Sequence, residues 1–280
     1  MAVSRNKPSN NLPARVAAFL AARTHGDERL SVGLSGGCDS VVLAHVLVEL
    51  GLSERLDAIH VHHGLSPNAG RWATFCTDYC QRLGIACRVA HVEVARDSGL
   101  GIEAAARATR YQAFSGMAAG TLLLGHHRGD QAETVLFNLL RGCGVVGAAA
   151  IPVARQHGRL RILRPLLDVS RQEIAAYARQ HQLAWVDDES NDDSTLARNF
   201  LRHEVLGPGG NIGRRFPAAE KNLAAAAGRF AEAEEPGGVI AFLCSPLRAT
   251  STASPSRWTA AACSRSEPMP EGPEIRRAAD

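Results

Sequence analysis

The chain reads as an α/β protein: a Rossmann-like parallel sheet with helices on both faces, then a short helical region and a tail of different composition. Three observations carry this reading. Short apolar runs alternate with helical periodicity from residue 12 to about residue 125. A Gly-Ser turn, Ser35-Gly-Gly-Cys-Asp-Ser40, joins the first apolar run to the most apolar helix. Two further polar clusters, His60–Gly64 and His126–Asp130, leave the ends of later runs. In a parallel sheet such ends share one edge, where ligands bind.

Taken in order, Leu12–Arg23 has helical periodicity, with Pro13 tolerated in the first turn. Arg29–Leu34 is a buried strand, and Val41–Leu50 a helix apolar on most of its surface. Leu56–His63 is the second strand. Ala69–Leu83 is a helix closed by Gly84, and Ile85–Val94 is the third strand. Ile102–Phe114 is a helix and Thr121–Gly125 the fourth strand. After Pro152 the composition shifts, with Arg155, Arg159, Arg161 and Arg164 interleaved with Leu160, Ile162 and Leu163. Val169–His181 is a helix with Ser170 as N-cap. Leu183–Val186 is a short apolar run before the acidic loop Asp187–Asp193. Gly207–Gly213 is a linker by composition, and Arg215–Ala233 one amphipathic helix. From Pro236 onward the chain lacks periodicity and reads as disordered. The expected organisation is a nucleotide-binding catalytic domain over 1–206, a linker and helical segment over 207–235, and a disordered or aberrant tail over 236–280.

A length of 280 residues suits one α/β domain plus something smaller. A net charge of +3 excludes a polycation. The seven cysteines form no Cys-x-x-Cys pair, which argues against a disulfide framework or a structural zinc site. With no apolar run of membrane-spanning length, the expectation is a soluble cytoplasmic protein.

A strand, a Gly-Ser turn and a helix start make an anion site: glycines admit a phosphate, and free N–H groups point at it. The chain has only two lysines, Lys7 and Lys221, so this is no Walker A loop. It ends instead in Asp39-Ser40. A carboxylate beside phosphate needs a cation between them, so Asp39 reads as a Mg²⁺ holder. Ser35, Gly36, Gly37, Cys38 and Ser40 read as the pyrophosphate cradle. Asp130 could join Asp39 on the metal, and His126 or His127 could donate to phosphate. Alternatively, Asp130 is simply an N-cap with Glu133 as its capping-box partner. Arg107 and Arg110 are spaced to face one anion, as are Arg198 and Arg202, a solvated face being the alternative for either pair.

Ser35–Ser40 resembles the PP-loop of the ATP pyrophosphatases, which cleave ATP between the α and β phosphates. The wider set resembles one PP-loop family, the tRNA(Ile)-lysidine synthetases. Its matching stretches, in the family's order, are Ser35–Ser40, His60–Leu65, Gly101–Tyr111, His126–Thr134, Leu140–Gly142, Arg164–Leu167, Asp188–Asn191 and Arg198–His203. The resemblance implies a ligase forming carbon–nitrogen bonds. ATP and Mg²⁺ activate the wobble cytidine of an isoleucine tRNA with a CAU anticodon, and the ε-amine of L-lysine then displaces AMP. It assigns Asp39 and Asp130 to the metal and catalytic positioning, and places Arg107 or Arg110, and Arg198 or Arg202, near the nucleotide. His126, His127 and Glu133 are all candidates to take the lysine proton. It makes tRNA phosphates a target for the Arg155–Arg164 run, a solvated loop being the alternative. It allows a homodimer.

There are departures from the family. His62 stands where asparagine is usual, and Gly129 where an acid is usual. The family's further tRNA-binding domains are not recognisable after residue 235. Met269–Asp280 resembles the start of an endonuclease VIII-type DNA glycosylase, but Pro270 is internal, so its nitrogen is an amide and no glycosylase activity is expected. The rival readings are a truncated member that binds nucleotide without productive tRNA binding, and a PP-loop tRNA thiolase.

Overall fold

The computed structural model describes residues 11–94, 101–143, 145–188, 197–207 and 209–232. The tail readings from Pro236 onward, and the acidic loop beyond Asp188, lie outside the described residues.

Helix α1 (Leu12–Ala21) opens with Asn11 Oδ1 accepting from Ala14 N at 3.1 Å, and buries Leu12, Val16 and Leu20 on one stripe. Strand β1 (Leu30–Gly33) leads into helix α2 (Cys38–Glu49), whose residues from Ser40 to Ala44 are all buried. Strand β2 (Leu56–His62), helix α3 (Ala69–Leu83) and strand β3 (Ala86–His91) follow. Gly84 caps α3 in the left-handed conformation, φ 69°, which glycine alone adopts without cost. Helix α4 (Ile102–Met117) and strand β4 (Thr121–Leu123) lead to helix α5 (Arg128–Leu140) and the short helix α6 (Val145–Ala148).

The sheet order is β3-β2-β1-β4-β6-β5, where β5 is Ala154–His157 and β6 is Leu160–Leu163. All pairings are parallel except β5 with β6. The fold class therefore stands as expected from the sequence. Period-two alternation splits the core onto both faces. Ala58, Leu123 and Leu163 pack with α1, α2, α3 and the later helix α7 (Arg171–Gln180), whereas Ile59, Leu122, Leu124 and Ile162 pack with Tyr111 and Phe114 of α4. The order reverses between β1 and β4, so the loops after those two strands flank the crevice of a doubly wound sheet.

Two expectations are corrected. The arginine-rich run is neither a loop nor a continuous basic surface: it is the β5–β6 hairpin, turning at Gly158 with φ 59°. Arg161 bonds Glu28 with both oxygens at 2.8 Å, and Arg164 is buried. Only Arg155 and Arg159 of the run stand exposed. Secondly, Arg215–Ala233 is not one helix. Helix α8 (Ala197–Phe200) continues into a π-helical turn (Leu201–Leu206), then α9 (Asn211–Arg215) and α10 (Ala219–Glu232). Pro217 disfavours helical backbone at Phe216, which takes φ −132° and ψ 78° and separates the last two helices. Helix α10 lies along α5, where Arg128 Nε donates to Glu220 at 3.1 Å. No helix of the described residues is long and apolar enough to cross a membrane.

Candidate active site

The Gly-Ser loop is held by its own serines. Ser40 Oγ accepts from Ser35 N at 3.2 Å and donates to Gly37 O at 2.9 Å. Ser35 Oγ accepts from Gly37 N at 3.3 Å. Ser40 is buried and Ser35 exposed, so Ser40 shapes the turn while Ser35 faces outward. Gly36 is required twice over. Its φ is +93°, and an added Cβ would lie 2.7 Å from Val186 Cγ2. Val186 N also donates to Gly36 O at 3.0 Å, so the short apolar run after α7 covers the loop. Beside it a cavity of about 320 Å³ is lined by Asn68, Arg71, Trp72, Phe75, Val186 and Asp187.

Asp39 opens α2 and faces the start of α5. Gly125 allows this approach, since a Cβ there would sit 3.0 Å from Asp39 O. Helix α5 is capped three residues earlier than the motif suggested, with His127 rather than Asp130 as N-cap. His127 Nδ1 accepts from Gly129 N at 2.9 Å and Asp130 N at 3.3 Å, while Asp130 Oδ2 accepts from His127 N at 2.9 Å. The capping box is thus His127 with Asp130, not Asp130 with Glu133. Because Nδ1 accepts, the ring proton belongs on Nε2, which lies 3.8 Å from Asp39 Oδ2. Nδ1 in turn lies 3.8 Å from Asp130 Oδ2. One buried imidazole therefore sits between the two carboxylates.

Burial pushes the Asp39 carboxyl up, and the nearby His127 offsets this only in part. Burial acts on Asp130 in the same direction, but His127, His126, the His127 N–H and Arg202 outweigh it and hold that carboxyl low. Two hard oxygen donors at the mouth of a phosphate-shaped turn fit Mg²⁺. Behind them Arg202 donates through Nε to Glu133 Oε1 at 2.8 Å and through Nη2 to Oε2 at 2.9 Å. Its Nη2 also reaches Asp130 Oδ1 at 3.4 Å. Arg198 takes a different neighbour, its guanidinium lying 5.8 Å from the Phe137 ring centroid, one turn further along α5.

His126 behaves unlike His127. Its buried Nδ1 has no hydrogen-bond partner among the described residues. Burial, reinforced by Arg164, Arg107 and Arg110, outweighs the pull of Asp130 and lowers its pKa to about 4. It is a neutral ring in a positive surrounding. Arg107 and Arg110 are exposed on α4; Arg107 lies 5.4 Å over Tyr111, and Arg110 Nε donates to His63 Nε2 at 3.4 Å. His60, from the same cluster as His63, is buried with Nδ1 2.9 Å from Leu34 O. The three polar clusters therefore lie along one sheet edge, spanning the carboxyl ends of β1, β2 and β4.

Residues 8–208 match the PP-loop domain. The chain belongs to the PP-loop family. It is 47% identical over 230 residues to a tRNA(Ile)-lysidine synthase of Aromatoleum aromaticum, covering 81% of this chain and 52% of that one. To the tRNA(Ile)-lysidine synthase of Pseudomonas syringae pv. tomato it is 47% identical over 232 residues, 81% of this chain and 51% of that one. The chain thus spans about half the length of the curated relatives it matches. Among solved structures it resembles a U34-tRNA thiolase from Methanococcus maripaludis with its iron–sulfur cluster, with TM-score 0.62 at 19% identity over 86% of this chain and 84% of that one. That likeness is one of fold.

Seen as a PP-loop site, Gly129 has a local reason: a Cβ there would lie 2.7 Å from His127 Cε1, so the capping imidazole occupies the space of a side chain. The burial of Arg164 and one wall of the cavity escaped sequence reasoning. Arg164 lies beneath the site, donating to Pro152 O at 2.6 Å and to Tyr111 Oη at 3.5 Å, with its buried Nε lacking a hydrogen-bond partner among the described residues. The Trp72–Phe75 wall of the cavity was hidden because aromatic residues three apart on a helix look like ordinary core. The arginine before Pro165 and the apolar run covering Gly36 were the available signals.

Proposed function

We propose that this PP-loop protein has the activity of a tRNA(Ile)-lysidine synthase: a cytoplasmic ligase that uses ATP to join L-lysine to the wobble cytidine of an isoleucine tRNA with a CAU anticodon. The observation carrying this reading is the 47% identity over 230 residues, 81% of this chain, to such a synthase.

The residues divide the work by chemistry. The N–H groups of the first turn of α2 offer donors to the β and γ phosphates. Asp39 and Asp130 would hold Mg²⁺, which supplies positive charge to the departing pyrophosphate. His126, Arg107 and Arg110 would offer donors where charge develops at the α-phosphate. Trp72 and Arg71 offer stacking surfaces to a base. The cytidine 2-oxygen forms a bond to the α-phosphorus as the bond to pyrophosphate breaks. The lysine nitrogen then bonds to C2, and AMP departs with the 2-oxygen. The amine must attack as a free base, with Glu133, His126 and His127 the candidates to accept its proton; burial raises Glu133 beyond what Arg202 offsets and lowers His126.

A thiolase reading gains no support from the cysteines. Burial pushes Cys38 up to about 11 and Cys76, beside Gly36, up to about 12, which disfavours the thiolate at the two cysteines of the loop region. Pyrophosphate release tests the proposal. With ATP, Mg²⁺ and a CAU-anticodon isoleucine tRNA transcript, release should require the tRNA and yield adenylated tRNA when lysine is omitted. Release that is indifferent to tRNA would overturn the assignment.

A further inference from the structure

Helices α2 and α7 lie side by side on one face of the sheet, and their far ends carry a second polar cluster. His45 and Glu49 stand one turn apart on α2, and His181 is the C-cap of α7. One ligand atom from each lies within 4.8 Å of the other two. The rings pack on one another: Tyr177 stacks on His181 with centroids 4.1 Å apart, and His45 meets His181 edge-on at 5.0 Å. The Tyr177 hydroxyl lies 2.8 Å from His45 Nδ1 and donates to Glu49 Oε2.

Nothing in the nucleotide chemistry uses these side chains. His45 lies six residues beyond Asp39 on the same helix, about 9 Å along its axis, and Glu49 about 15 Å. Two imidazoles and one carboxylate on a rigid two-helix frame are the donor set of a three-ligand zinc-type centre that completes its shell with water. Nitrogen donors favour Zn²⁺, Ni²⁺ or Cu²⁺ over Mg²⁺, so this cluster and the two-aspartate pair select different ions. Bonds of about 2.0–2.2 Å to zinc need ligand atoms somewhat closer than they stand. Glu49 is exposed and both histidines half-buried, so side-chain rotation can supply the contraction without moving the helices. Tyr177, already bonded to His45 and Glu49, is placed to orient both from the outer shell.

We propose that His45, Glu49 and His181 form a transition-metal site, best suited to Zn²⁺, that clamps α7 to the helix carrying the PP-loop. The test uses the full chain, free of any affinity tag and stripped with chelator, titrated with Co²⁺ and then with competing Zn²⁺. The expected result is one equivalent of Co²⁺ with the strong visible bands of a tetrahedral site, displaced by Zn²⁺, and a thermal midpoint that Zn²⁺ raises. Glu49→Gln and His181→Ala, both at the helix ends, should weaken binding by at least about tenfold and abolish the thermal effect. Tyr177→Phe should retain a bound ion, because the hydroxyl is not a ligand. Asp39→Ala and the double variant His62→Ala/His91→Ala should bind as the parent does. No stoichiometric binding, or binding unchanged by His181→Ala and Glu49→Gln, would overturn the proposal. So would loss of binding in His62→Ala/His91→Ala, which would move the ion to the paired rings of His62 on β2 and His91 on β3, whose centroids lie 4.8 Å apart.

Discussion

Arg202 and Glu133, 69 residues apart in the chain, meet in a two-point ion pair with Nε–Oε1 at 2.8 Å and Nη2–Oε2 at 2.9 Å. The Glu133 side chain is 5% exposed and that of Arg202 24%. Removing the arginine strands a buried carboxylate and withdraws a donor from Asp130. Arg202→Ala should therefore destabilise the fold by up to about 3–5 kcal/mol. Glu133→Gln in the same chain should recover much of that loss, because the charge left unpaired is gone. Urea unfolding of the two single variants and the double variant measures the coupling; additive effects would mean the pair does not interact.

Asp39 stands in the opposite position. Burial raises its carboxyl, so the folded state disfavours the charge it carries at neutral pH. Asp39→Asn should leave the fold as stable as the parent or more so, while slowing tRNA-dependent pyrophosphate release by about 10²–10³-fold. Thermal midpoint and release rate, measured on one preparation, check both halves.

Gly36→Ala should fail for steric reasons. Its φ of +93° strains any L side chain, and the new Cβ would press on Val186. A loss of about 1–3 kcal/mol in unfolding free energy is expected, together with loss of ATP binding. An unaltered unfolding midpoint would contradict the loop geometry.

Acid should destabilise the fold through its histidines. His126 and His63 are both lowered from the ordinary 6.5 to about 4, chiefly by burial, with arginines adding to it. Between about pH 6.5 and pH 4 the unfolded chain binds protons at these positions that the folded chain does not. Stability is therefore full above pH 6.5 and falls as the pH drops through this window. Comparing urea midpoints at pH 7 and pH 5 should show the decline, and His126→Gln should show a shallower one.

The elements legible in the sequence were those specified by neighbouring residues. Leu56–His62 and Thr121–Leu123 are apolar runs, Ser170 caps α7 with Glu173 three residues on, and Ser35–Ser40 carries its own turn chemistry. The β5–β6 hairpin was missed because arginines interrupt its apolar side chains, and Arg164 is held by Pro152 and Tyr111, which no local pattern announces. In the site, the positions of Asp39 and Asp130 were readable from motif and topology. The imidazole between them was not, because His127 competed with Asp130 for the cap and only tertiary packing settles that choice. The partition of Arg198 and Arg202 onto successive turns of α5 likewise depends on a π-helical turn that spacing alone does not reveal.

The central claim is tested most directly by transfer of radiolabelled lysine to an isoleucine tRNA transcript bearing a CAU anticodon, with ATP and Mg²⁺, in parallel with Asp39→Ala. ATP-dependent incorporation by the parent, lost in the variant, is the result predicted. A parent chain that binds ATP yet transfers no lysine would contradict it.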